Sequence, residues 1–98
     1  MVVLHLGCGL DSRYNRIDSI KVDWYDLDFE EVINIRRRFY TETNNYHFIA
    51  SSVTEYNWMK EIPKGKKHYI VIAEGLSMYL EDKDIRELFS RLMNCIKN

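Results

Sequence analysis

The chain has 98 residues, of which 46% are hydrophobic, 13% aromatic and 30% charged; this is enough for one domain and too apolar for a disordered segment. Fourteen Lys and Arg against fifteen Asp and Glu leave a formal charge of −1, so there is no strong field for a nucleic-acid backbone or an anionic membrane, and neither is an expected partner. Two cysteines without CxxC spacing exclude a disulfide framework and a cysteine-rich zinc site, no metal site is visible, and no apolar run approaches the ~18 residues of a membrane span.

Val2 to Leu6 is a short apolar run with β-branched residues, ending at Gly7-Cys8-Gly9; it predicts a strand with a tight exit turn. Ile20 to Leu27 alternates loosely and predicts a second strand. From Phe29 to Tyr40 the period becomes helical, with Phe29, Val32, Ile33, Arg36, Phe39 and Tyr40 on one stripe. Acidic residues open this segment and basic ones close it, which suits the helix dipole. Tyr46 to Ala50 predicts a third strand, and Val53 to Ile62 a short helical piece ended by Pro63-Lys64-Gly65. His68 to Ala73 is the most continuously apolar strand candidate, and it is expected to be the most buried. Ile85, Leu88, Phe89, Leu92, Met93 and Ile96 recur at the spacing of an amphipathic helix, with Asp82 or Asp84 as its cap. Strands alternating with helices predict an α/β fold with a parallel sheet and helices on both faces.

Open sheets of this kind bind ligands outside the carboxyl ends of their strands, so the residues just past each strand carry the functional signal. After the first strand come Gly7, Cys8 and Gly9, whose backbone can approach a ligand closely. Alone, Gly-Cys-Gly reads equally well as a tight strand-to-helix turn, and Ser12 stands where a dinucleotide fingerprint has its third glycine. The second strand ends in Asp26-Leu27-Asp28. Asp28 lies nineteen residues after Gly9, close to the spacing of about 20 at which an acid meets ribose hydroxyls. Asp26 shares its face, but Asp28 is nearer the tip and is the expected ribose ligand. Ser51 and Ser52 come after the third strand, where an adenine edge would lie. Glu74-Gly75 comes after the fourth, and a carboxylate at the end of a buried strand needs partners. Among the remaining polar residues, His5 reads as a hydrogen-bonded core residue. His47 and His68 sit at the wrong end of the sheet, and Arg36-Arg37-Arg38 and Lys64 to Lys67 read as solvated faces.

The segments VVLHLGCGLDSRYNRI, WYDLDFEEVINIRRRF, IASSV and VIAEGLSMYLEDKDIRELF resemble, in order, core motifs of the leucine carboxyl methyltransferase family. That family includes polyketide O-methyltransferases of the tetracenomycin type and belongs to the class I S-adenosylmethionine (SAM) dependent methyltransferases. The resemblance implies a Rossmann-like sheet in the order 3-2-1-4 and SAM as cofactor, with methyl transfer to a carboxylate or hydroxyl oxygen. It places Gly7, Cys8 and Gly9 against the methionine part of SAM, with Cys8 as a size constraint rather than a nucleophile. It also assigns Asp28 to the ribose, Ser51 and Ser52 to the adenine side, Glu74 to the amino-acid end and Tyr79 to the border of the transfer site.

A complete member of the family has further strands, so this chain, residues 1–98, is expected to be a single, partial domain: the cofactor-binding half. The fourth strand then forms a long apolar edge, a pairing hazard. A homo-oligomer, or a completing chain, is the partner expected there. The alternative to an enzyme is a non-catalytic nucleotide-type binding or assembly module that dimerises through the same edge. The expected location is the cytoplasm.

Overall fold

The computed structural model describes residues 1–9, 22–66, 68–76 and 80–97. Its elements are β1 (Val2–Leu6), β2 (Asp23–Asp28), α1 (Glu30–Phe39), β3 (Tyr46–Ala50), a short 3-10 helix (Tyr56–Glu61), β4 (Tyr69–Ile72) and α2 (Asp82–Lys97). The four strands form one parallel sheet in the order β3-β2-β1-β4, the order that the resemblance implies. Among the described residues no helix is long and apolar enough to cross a membrane.

The pleat sorts the strand residues onto two faces, and each face is covered by different helical elements. Val2, Leu4, Leu6, Tyr25, Leu27 and Ile49 pack with Trp58 and Met59 of the 3-10 helix and with Leu88 and Leu92 of α2. Val3, Trp24, Tyr46 and Phe48 pack with Ile33 of α1. Helices therefore lie on both faces, as the strand-helix alternation predicts. Leu4, Leu88 and Ile33 are fully buried, and each such side chain gains roughly 1.5–3 kcal/mol by leaving water.

Several expectations need correction. The second strand spans Asp23–Asp28, so Val22 precedes it and Asp28 extends it by one residue; Ile20 and Lys21 lie outside the described residues. The segment Val53 to Ile62, expected to hold a short helix or helical turn, does hold one, a 3-10 helix confined to Tyr56–Glu61. Its Trp58 and Met59 are buried, so tertiary packing holds it despite its length. The stripe expected for α1 is narrower than its pattern: Ile33 and Arg36 are buried, whereas Phe39 is 71% exposed. The fourth strand is the most apolar but the least buried, because it lies at the sheet edge; Ile70 is 44% exposed.

Candidate functional site at the strand ends

The carboxyl ends of β1, β2 and β3 are drawn together by backbone hydrogen bonds that continue the sheet past its last paired residues. Gly7 and Cys8 both donate their N–H to the Leu27 carbonyl, at 2.8 and 3.2 Å, and Ser51 N–H donates to the Asp28 carbonyl at 2.9 Å. The chain turns sharply at this point: φ is +69° at Gly7 and +58° at Gly9, a region that side chains with a Cβ rarely adopt. Among the described residues, nothing lies within 4 Å of where a Cβ on Gly9 would sit.

Asp28 closes the turn. Its Oδ2 accepts the Gly9 N–H at 2.8 Å, and its Oδ1 accepts the N–H of Phe29, ahead of α1, at 2.7 Å. Each oxygen keeps a further lone pair, and the carboxylate is only half-buried. An acceptor pair held this way at a strand tip suits vicinal hydroxyls such as those of a ribose. Ser51 and Ser52 lie beside it, half-buried. The Ser51 hydroxyl donates to the Ser52 carbonyl at 2.9 Å, and the Ser52 and Thr54 hydroxyls are 3.0 Å apart. These bonds order the turn after β3.

The end of β4 reaches the same place through backbone rather than side chains. A Cβ on Gly75 would come within 3.0 Å of the Gly7 carbonyl oxygen, so glycine is what lets the two turns touch. Leu76, fully buried, anchors the segment below, its N–H donating to the Ala73 carbonyl at 3.1 Å. Glu74, two residues past β4, is exposed, so its carboxylate does not carry the burial that the apolar strand suggested. Tyr79 and Ser12 lie outside the described residues.

Beneath the turn is a buried polar cluster that sequence reasoning missed. Asp26 and Arg36 are 1% and 0% exposed, and Arg36 Nη2 donates to Asp26 Oδ2 at 2.6 Å. The Tyr46 hydroxyl donates to the same Oδ2 at 2.6 Å, and Trp24 Nε1 donates to Oδ1 at 2.7 Å. His5, buried as expected, places Nδ1 3.2 Å from Oδ1. Burial alone would raise the Asp26 carboxyl; the neighbouring His5 ring, the hydrogen bonds from Tyr46 and Trp24 and the Arg36 charge outweigh it and hold the carboxyl below its usual range. Arg36 is thus no solvated face, unlike its exposed neighbours Arg37 and Arg38. The available signal was its place one turn after Ile33, on the apolar stripe of α1.

Cys8, 4% exposed, is a packing residue. Burial, reinforced by the Asp26 charge, pushes its thiol up to about 12, so it stays protonated and is no nucleophile at neutral pH.

Against known proteins, the model of the leucine carboxyl methyltransferase family matches residues 1–93. The chain is 43% identical over 93 residues to the tetracenomycin polyketide synthesis O-methyltransferase TcmP of Streptomyces glaucescens, a match covering 94% of this chain and 34% of that protein. It is 28% identical over 100 residues to the S-adenosyl-L-methionine-dependent methyltransferase dpfgK of Gibberella zeae, covering 94% and 33%. The chain spans about a third of the length of the curated relatives it matches.

Proposed function

The chain belongs to the leucine carboxyl methyltransferase family, and we propose that its strand-end turn binds SAM as the cofactor-holding part of a methyltransferase acting on a carboxylate or hydroxyl oxygen. The observation that carries this reading is the Asp28 carboxylate, fixed at the tip of β2 by the Gly9 N–H. In the bound state SAM supplies an electrophilic methyl group on a sulfonium.

Each residue has a part in holding it. Asp28 accepts hydrogen bonds from the ribose hydroxyls. Gly7, Cys8 and Gly9 present backbone to the methionine portion, where a larger side chain would collide. Ser51 and Ser52 border the adenine, and Glu74 faces the amino-acid end. Methyl transfer draws most of its acceleration from alignment of donor and acceptor, so these residues contribute by binding and orienting. The relatives' names support both the cofactor and the reaction class.

S-adenosylhomocysteine tests the reading by thermal unfolding. A ligand at about a hundredfold its Kd adds about 2.7 kcal/mol to the stability of the folded state, which raises Tm by several degrees in a domain of this size. The wild-type chain should show this rise. Asp28→Ala should weaken binding about tenfold or more, the scale of hydrogen bonds to a charged group. An unchanged Tm at saturating ligand would overturn the proposal.

The open edge of β4, with Ile70 44% exposed, supports a homodimer paired through that strand. The unbridged Cys8 and Cys95 support a reducing location, the cytoplasm.

A further inference from the structure

Gly9 has no side chain of its own to fix it, yet both of its polar backbone atoms are gripped. Its N–H is bonded by Asp28 Oδ2 at 2.8 Å, and its carbonyl accepts from Arg36 Nη1 at 3.0 Å. Arg36 comes from the last turn of α1, twenty-seven residues further along the chain, and is completely buried. Its other nitrogen, Nη2, donates to Asp26 Oδ2 at 2.6 Å and to the Tyr46 hydroxyl. The carbon of the guanidinium lies 5.0 Å from the Tyr40 ring centre and 5.6 Å from that of Phe48, so the plane of the group is also constrained.

We propose that Arg36 is a positioning residue for the binding turn: anchored on Asp26 and Tyr46, it holds the Gly9 carbonyl and so keeps the Gly9 N–H on Asp28. This rests on the reading of Gly9 and Asp28 as part of the SAM site. Packing alone does not account for an arginine here. A buried ion pair gains little over apolar residues of similar volume, and the stripe of α1 could be filled by a hydrophobe. What a hydrophobe lacks is a second directed donor. The guanidinium is a rigid planar fork; with Nη2 fixed by two oxygens, the direction of Nη1 is set. A flexible lysine ammonium supplies no such fixed second arm. The buried cluster thereby transmits the geometry of α1, β2 and β3 to a turn that lies at the tip of β1.

The test is amide hydrogen exchange in the full chain, without ligand, and then titration with S-adenosylhomocysteine. Arg36→Met alone would strand the Asp26 charge, so the informative variant is the double change Asp26→Asn and Arg36→Met. It should leave amide protection within β1 close to wild type, lower Gly9 protection about tenfold or more, and weaken the ligand by a similar factor, the scale of one charge-assisted hydrogen bond. Tyr46→Phe, which removes one of the two oxygens that fix Nη2 and leaves Asp26 in place, should lower Gly9 protection relative to β1 by less than the double variant does. Gly9 protection that is unchanged in the double variant, or that falls only in step with β1, overturns the assignment; so does a loosened Gly9 with undiminished affinity. A selective loss at Gly9 in a chain whose wild type binds no S-adenosylhomocysteine sustains Arg36 as the holder of the turn and overturns the cofactor reading instead.

Discussion

At the scale of single residues, two aspartates two positions apart on one strand have opposite fates. Asp28 ends half-buried with backbone donors on it, whereas Asp26 is sealed beside Arg36. The consequence for Asp26 is a pH dependence with a definite sign. Its folded-state pKa is lowered, so its contribution is complete above the unfolded carboxylate value of about 4 and is lost as pH falls through the folded value. Urea unfolding between about pH 3 and about pH 7 should show the wild-type midpoint dropping at the acid end, and the Asp26→Asn, Arg36→Met pair should drop less. Equal slopes in the two proteins would place the acid sensitivity elsewhere. The position of Asp28 was legible from its spacing to Gly9, a local, one-dimensional quantity. The Asp26–Arg36 pair was not, because a charged residue on an apolar helical stripe signals burial only once the partner across the layer is known. Arg36, Arg37 and Arg38 look alike in sequence, and the helical phase alone separates the buried one from the exposed two.

At the scale of elements, the helical period located α1 and α2 closely, and short apolar runs bounded by turn residues located β1 and β3. The pattern was less exact where burial decides. Tyr56–Glu61 is held as a short 3-10 turn by Trp58 and Met59, and Trp58 Nε1 donates to the Val53 carbonyl at 2.9 Å. The apolar run of β4 suggested the deepest strand, but composition does not report position within a sheet: among the described residues, β4 pairs with β1 on one side only. An apolar edge of this kind invites pairing. Sedimentation of the wild-type chain at high concentration should therefore give a dimer, and Ile70→Lys, which puts a charge on the open edge, should give a monomer. A wild-type chain that sediments as a monomer throughout the range would remove the homodimer from the account.

At the scale of the whole molecule, four parallel strands converge on one edge where Gly7, Gly9, Asp28 and Ser51 meet through hydrogen bonds and Gly75 abuts Gly7. The same sheet is fastened from below by α1 through Arg36 and from the other face by α2 and the 3-10 helix. Family membership gives this edge its reading as a SAM site, and the chain corresponds to about a third of its relatives. The contacts at this edge run between neighbouring strand ends. The most direct measurement is an amide-resolved NMR titration of the wild-type chain with S-adenosylhomocysteine. Saturable shifts are expected at Gly9, Asp28 and Ser51, with the amides at the opposite ends of the strands unmoved. Shifts absent from these three amides, or centred on another surface, would contradict the SAM-site reading.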